Sequence, residues 1–236
     1  MTFPPEEAAG RAEDEEYNLS ILGVGLAPEA EGEYRLILRT SRGDIPGQFS
    51  VCEGETGAAV MVSGASGGLD GPADGIYLRL AEALRARKVS TLRLHYRHPG
   101  EFEECVLDAL GALSFLKGIG AERVVLVGHS FGGAVAIRAG VLAPLVSGVV
   151  AMSSQLHGTH EVAQLSPRPL LLVHGMDDQV LEASASEIIY SNAAEPKRIV
   201  LYAGAGHALT QSQSELYDLL MEWIPAYAGP PGPTPP

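Results

Sequence analysis

The chain has 236 residues and a net charge of −13 without a cluster of lysines or arginines, so nucleic acid and anionic membranes are not expected as partners. Hydrophobic residues make up 46% and charged residues 19% of the sequence, proportions typical of a folded globular protein and not of a disordered one. The length suits a single α/β domain.

Residues 1–16 are rich in Glu, Ala and Pro, which predicts a disordered acidic tail. This segment lacks the apolar stretch of a signal peptide. No apolar run elsewhere approaches the roughly 18 residues of a membrane span, and we therefore expect a cytoplasmic protein. The two cysteines, Cys52 and Cys105, have no CxxC partner and are expected to be free core thiols.

Between the two ends, apolar segments change their periodicity in a regular order. Three short strands come first and are predicted to begin the sheet with antiparallel pairing, at 18–25, 33–40 and 43–53. Strands then alternate with amphipathic helices, the strands at 57–64, 90–97, 122–128, 145–154, 168–175 and 197–204 and the helices at 75–88, 101–120, 132–143, 182–193 and 213–224.

The strands after residue 57 are apolar throughout, which indicates burial on both faces of a sheet. Residues 17–224 are therefore predicted to form one α/β domain, a three-layer α/β/α sandwich with a mostly parallel sheet. Residues 225–236 are rich in Pro and Gly and are predicted to form a tail that cannot continue a helix. Ligands of such sheets bind at the carboxyl ends of the strands.

Two pentapeptides of the pattern G-x-S-x-G follow predicted strands, "GASGG" at 64–68 and "GHSFG" at 128–132. Ser130 lies between the β-branched run "RVVLV" and an alanine-rich helix, which predicts a sharp strand-to-helix turn. Only small residues fit two positions to either side of such a turn, and these are Gly128 and Gly132. Ser66 precedes "GGLDGPADG", which has too much Gly and Pro for a helix. We therefore predict Ser130 as a nucleophile and "GASGG" as a loop that supplies an oxyanion N–H.

A serine nucleophile needs a base and a carboxylate that orients the base. His207, in "GAGHAL" between the last strand and the last helix, is the predicted base. The loop after the penultimate strand, "HGMDDQV", offers two carboxylates; the pattern H-G-x-x-D favours Asp178, with Asp177 as the alternative. His174 ends the strand before this loop and is expected to support the loop through hydrogen bonds.

The motifs "VGHSFGGAVA", "VHGMDDQV" and "AGAGHAL" occur in the order Ser, Asp, His, and together they resemble the α/β-hydrolase superfamily over residues 33–224. The chain is most similar to small dienelactone-hydrolase-like or carboxylesterase-like members. The resemblance implies a sheet of about eight strands, a catalytic triad of Ser130, Asp178 and His207, and oxyanion N–H donors from Phe131 and Ala65. The usual "HG" of the oxyanion loop is "SG" here, so Ser66 is an alternative donor. Dienelactone hydrolases use a cysteine nucleophile where this chain has serine, so their lactone specificity does not carry over.

Residues 154–168 are too few for the helical lid that many members insert between these strands, so we expect no large cap and an accessible pocket. His157 and His160 lie in this segment as an H-x-x-H pair without further ligands, which favours a place in the pocket wall over a metal site. No metal or cofactor is expected, and the oligomeric state is left open. The predicted function is hydrolysis of an ester or thioester of a small substrate. Acyl transfer, amide hydrolysis and non-catalytic ligand binding are the alternatives.

Overall fold

The computed structural model describes residues 18–229, so the tail predicted at 1–16 lies outside the described residues. Within this range nine strands form one sheet in the order β1-β2-β3-β5-β4-β6-β7-β8-β9. The strands are β1 (Ile21–Ala30), β2 (Glu33–Thr40), β3 (Gly43–Ser50), β4 (Gly57–Val62), β5 (Ser90–Leu94), β6 (Arg123–His129), β7 (Val146–Met152), β8 (Leu170–Gly175) and β9 (Lys197–Tyr202). The helices of this range are α1 (Pro72–Ala86), α2 (Phe102–Gly118), α3 (Phe131–Leu142), α4 (Ser184–Asn192) and α5 (Gln213–Ala228).

The sheet is antiparallel at its beginning and parallel afterwards. β1, β2 and β3 pair antiparallel in sequence, and β3 joins β5 antiparallel. All pairs from β5 through β4, β6, β7 and β8 to β9 are parallel. The sheet has one strand more than the resemblance implies, because β1 pairs with β2 from Ile21 to Ala30 and adds an edge strand.

Side chains of the central strands alternate between the two faces of the sheet because the strand period is two residues. In β4, Ala58, Val60 and Val62 pack under α2 and α3, whereas Ala59 and Met61 pack under α1 and α5. Both sets are buried, as the continuous apolar run predicted. The two helical layers and the sheet confirm the predicted three-layer α/β/α sandwich.

The parallel register brings the carboxyl ends of the central strands to one edge of the sheet. Val62 pairs with Gly128 across β4 and β6, and His129 pairs with Met152 across β6 and β7. Gly175 and Tyr202 end β8 and β9 side by side. The loops that follow these strands therefore lie together, as the rule for parallel sheets requires.

The last helix continues beyond the boundary predicted at 224. α5 passes through Pro225 and ends at Ala228, so the prediction that a tail begins at 225 is wrong for its first residues. A proline inside a helix removes one hydrogen bond and costs stability. Here tertiary contacts offset that cost: the Tyr227 carbonyl accepts hydrogen bonds from Arg123 Nε at 3.0 Å and Ser147 Oγ at 2.7 Å, and Ala228 is buried. Residues 230–236 lie outside the described residues.

The first turn of α1 is irregular. The regular part of α1 begins at Ile76, because Ala73, Asp74 and Gly75 have left-handed backbone angles. Cys52 and Cys105 are both free, as predicted, but only Cys105 is a buried core thiol, whereas Cys52 is half-buried. Of the residues described, no helix has the length and apolarity that a membrane crossing requires.

Candidate active site

Ser130 occupies the turn between β6 and α3. Its backbone angles, φ 57° and ψ −122°, lie outside the regions that most residues adopt, and its N–H donates to the Met152 carbonyl at 2.8 Å. A Cβ on Gly128 would collide with the backbone of Gly132, and a Cβ on Gly132 would collide with the backbone of Ser63. The two glycines are therefore required by close backbone contacts around the strained serine.

His207 lies in the loop between β9 and α5, and its ring lies between Ser130 and a carboxylate. Its Nε2 is 3.0 Å from Ser130 Oγ, and its Nδ1 is 2.7 Å from Asp178 Oδ2. Because a carboxylate only accepts hydrogen bonds, Nδ1 carries the hydrogen and Nε2 is free to accept the hydroxyl proton of Ser130. The ring is 20% exposed, so a bound molecule can reach it.

The Asp178 carboxylate is buried and accepts hydrogen bonds on both oxygens. Oδ1 accepts the backbone N–H groups of Val180 at 2.8 Å and Leu181 at 2.9 Å. Burial raises the pKa of Asp178, but the hydrogen bonds from Leu181, His207 and Val180 together lower it more, so the net shift is downward. The Asp178 carboxylate is therefore negatively charged at neutral pH.

Asp178 and Asp177, the two candidate carboxylates of the sequence, make different contacts in the structure. Asp178 contacts His207, whereas Asp177 is exposed and takes part in the loop through its backbone, its N–H donating to the Ala205 carbonyl at 2.9 Å. The carboxylate at the favoured position of H-G-x-x-D thus contacts the histidine, and its neighbour does not.

His174 supports the Asp178 loop, as expected, and also contacts Asp178 itself. Its ring is fully buried, with Nε2 at 3.1 Å from Asp178 Oδ2 and 3.0 Å from the Leu181 carbonyl. Both neighbours are acceptors, so Nε2 carries the hydrogen, and the Ser186 hydroxyl donates to Nδ1 at 2.7 Å. Sequence reasoning missed the contact with Asp178 and missed Ser186. Neither contact has a local sequence signal, because His174 ends a strand and helical spacing does not apply there.

The loop after β4 contacts the serine turn. A Cβ on Gly64 would be 3.6 Å from the Cβ of Ser130, and the Gly67 N–H closes a turn onto the Gly64 carbonyl at 2.9 Å. Ala65 and Ser66 are exposed in this turn. Among the hydrogen bonds of residues 18–229, the N–H groups of Phe131, Ala65 and Ser66 have no acceptor. An oxyanion site uses N–H groups of this kind, and the choice between Ala65 and Ser66 stays open.

His129 contacts the His207 loop through a hydrogen bond. Its Nε2 donates to the His207 carbonyl at 2.9 Å, and the two rings lie 4.9 Å apart between centroids. Burial lowers the pKa of His129 to about 4, while the hydrogen bond to the His207 carbonyl raises it by less. The other ionisable groups near it are His207, Asp178 and His174. His129 is therefore neutral at physiological pH.

This burial predicts a pH-dependent stability. An unfolded histidine has a pKa near 6.5, so the unfolded chain takes up the His129 proton at a higher pH than the folded protein. The contribution is complete above about pH 6.5 and is lost as the pH falls toward 4, by about 3 kcal/mol in all. Urea unfolding at several pH values should show that His129→Gln loses less stability over this window than the wild type.

The matched control is His98→Gln, because His98 is exposed. It should keep the wild-type dependence on pH. If His129→Gln and His98→Gln lose stability equally between pH 6.5 and 4, the half-buried neutral imidazole of His129 does not account for the effect.

The segment between β7 and β8 carries no cap. Residues 153–169 contain one 3₁₀ turn, Val162–Leu165, and no α-helix. His157 and His160 from this segment line a groove beside α2. In the described part of the chain, no group of three or more His, Cys, Asp or Glu side chains is placed to hold a metal ion.

Comparisons with known proteins agree with this fold. A model described as "Dienelactone hydrolase family" matches residues 74–222. The uncharacterised protein YfhR of Escherichia coli K12 is 29% identical over 135 residues, covering 47% of this chain and 48% of YfhR. Acyl-protein thioesterase 1 of Neurospora crassa is 28% identical over 124 residues, covering 48% of this chain and 51% of the thioesterase. The chain thus spans about half the length of these relatives.

Solved structures show the same architecture at lower sequence identity. A dienelactone hydrolase from Anabaena variabilis superposes with a TM-score of 0.72 at 19% identity, covering 83% of this chain and 98% of that one. A lidless α/β serine hydrolase from Xanthomonas campestris gives a TM-score of 0.65 at 16% identity, covering 86% and 99%. At these identities the likeness concerns the fold.

Proposed function

Because this chain belongs to the dienelactone hydrolase family, we propose that it hydrolyses an ester or thioester of a small substrate through an acyl-enzyme on Ser130. The observation that carries the proposal is the continuous hydrogen-bonded chain from Ser130 Oγ through the His207 ring to the buried Asp178 carboxylate. A serine hydroxyl becomes a nucleophile when an oriented base takes its proton.

The first half of the reaction forms the acyl-enzyme. Ser130 Oγ bonds to the acyl carbon while its proton passes to His207 Nε2, and the charge of Asp178 stabilises the resulting imidazolium. The carbonyl oxygen becomes an oxyanion that accepts two hydrogen bonds. One comes from the N–H of Phe131 in the first turn of α3, and the other comes from the N–H of Ala65 or Ser66. Collapse of this intermediate breaks the bond to the leaving oxygen or sulfur, which takes the proton from His207.

The second half releases the acid. Water gives a proton to His207 and bonds to the acyl carbon, and the proton then returns to Ser130 as the acid leaves. The absence of a cap between β7 and β8 favours small or exposed acyl substrates. The similarity to a fungal acyl-protein thioesterase keeps thioesters beside oxygen esters in the proposed class.

A substrate panel tests this proposal against its alternatives. p-Nitrophenyl esters, acyl-CoA thioesters and p-nitroanilides would be offered to the purified protein, and free acid would be measured beside the chromophore or thiol. We expect ester or thioester turnover with one equivalent of acid for each alcohol or thiol. Turnover of anilides alone would support an amidase, and product that carries the acyl group on an added acceptor would support a transferase. A folded protein that turns over none of these compounds would contradict the proposal.

A further inference from the structure

An apolar groove lies on the face of the sheet covered by α2 and α3. It encloses about 410 Å³, within the range of small-molecule sites. Its apolar lining comes from one side of α2, the end of α3 and the segment after β7, with the residues Phe102, Val106, Leu107, Leu110, Leu142 and His157.

A short chain of contacts joins this groove to the serine turn. Phe131, the residue after Ser130, has its ring 5.8 Å from the ring of Phe102 in an edge-on contact, and Phe102 forms the inner wall of the groove. The ring of Phe102 is in turn 5.5 Å from His157. From the other side, the Gln155 N–H donates to the Ser130 carbonyl at 3.4 Å, two residues before His157. The packed rings of Phe131 and Phe102 therefore lie between the nucleophile and the groove.

The residues around His207 and the residue after Ser130 belong to cores on opposite faces of the sheet. Ala205 and Leu209, on either side of His207, belong to the core under α1 and α5, whereas Phe131 belongs to the core under α2 and α3. The leaving oxygen or sulfur must lie near His207 Nε2 to receive its proton. An acyl substituent that extends away from His207 would lie on the side of Phe131 and Phe102, and it would reach the groove past these two rings.

The chemistry of the lining favours an uncharged chain. The groove has a cation in its wall, Arg138, but this guanidinium is paired with Glu161. Besides two histidines, the wall contains one more ionisable side chain, Glu103, which repels a carboxylate. We therefore propose that this groove binds a linear aliphatic acyl chain of the ester or thioester that Ser130 attacks. The inference deepens the proposed function and rests on it.

Such a groove makes kcat/KM depend on the length of the acyl chain. Burial of a methylene raises kcat/KM by up to about fourfold, and a groove open on one side supplies roughly half of that free energy, or about twofold. From acetyl to octanoyl p-nitrophenyl esters, kcat/KM should rise roughly 50-fold. The octanoyl-to-acetyl ratio of kcat/KM should fall roughly tenfold in Leu107→Glu, which places a carboxylate among the apolar side chains.

Two further variants make this test specific. Leu142→Glu changes a groove residue that is 47% exposed, so this variant should fold even if Leu107→Glu does not, and its ratio should also fall. Leu78→Glu makes the same change at a leucine that is 44% exposed on α1, on the other face of the sheet, and should keep the wild-type ratio.

The outcomes distinguish a failure of the groove proposal from a failure of the proposed function. A lower ratio in the groove variants with an unchanged ratio in Leu78→Glu supports acyl binding in the groove. A wild type that hydrolyses the acetyl ester but shows no rise with chain length overturns the groove and leaves the proposed function standing. An unchanged ratio in Leu142→Glu has the same meaning. If no ester or thioester of any length is hydrolysed, the proposed function fails and this inference fails with it.

Discussion

Ser130→Ala should lower kcat by about 10⁴- to 10⁶-fold, the size of effect seen when the nucleophile of a serine triad is removed. Alanine has no hydroxyl, so the acyl-enzyme cannot form. Without the Ser130 hydroxyl, His207 could act only on a water molecule. Steady-state kinetics on the best ester of the panel would measure the loss. The substitution removes a single oxygen at a half-buried position, so the variant should fold.

Ser66→Ala is the matched control, because Ser66 stands at the same position in the other G-x-S-x-G pentapeptide. Alanine keeps the backbone N–H at this position. Turnover should therefore stay within about tenfold of the wild type, since one backbone donor is retained and an exposed hydroxyl is lost. Retained activity in Ser130→Ala with lost activity in Ser66→Ala would reverse the assignment of the nucleophile.

Asp178→Asn should lower kcat by about 10⁴-fold, the cost of the same change in a serine protease triad. The amide oxygen of asparagine can still accept the N–H groups of Val180 and Leu181. His174 Nε2 loses its acceptor on residue 178 but keeps the Leu181 carbonyl, so the loop should keep its shape. The asparagine NH₂ group would then face His207 and donate to Nδ1. The ring would have to carry its hydrogen on Nε2 and could no longer accept the proton of Ser130.

The neighbouring aspartate gives a sharp comparison. Asp177→Asn makes the same chemical change one residue earlier, at an exposed side chain whose loop contact comes from its backbone N–H. Its kcat should remain within a few-fold of the wild type. If both variants lose activity equally, the effect comes from the charge or folding of the loop and not from the contact of Asp178 with His207.

The order of strands and helices could be predicted because each buried strand is a continuous apolar run. The run "GAAVMV" is buried on both faces in the structure, and the two helical layers cover it as expected. The position of Ser130 was also readable, since a tight strand-to-helix turn demands glycines where Gly128 and Gly132 stand. The strand-end rule then places the loops of Asp178 and His207 at the same edge.

Features that depend on tertiary contacts were beyond the sequence. The continuation of α5 through Pro225 depends on Arg123 and Ser147, which lie far away along the chain and bind the Tyr227 carbonyl. The contact of Ser186 with His174 joins a helix to a strand end, and no local pattern announces it. The groove beside α2 is likewise assembled from three separate segments.

The central claim is that the Ser130 hydroxyl is activated by His207, and covalent labelling tests it most directly. The protein would be treated with a fluorophosphonate, which reacts with activated serines, and digested for mass spectrometry to locate the adduct. We expect one adduct per chain on Ser130, strongly reduced in His207→Ala and unaffected by Ser66→Ala. A folded protein that forms no adduct, or that carries it on a serine other than Ser130, would contradict the account.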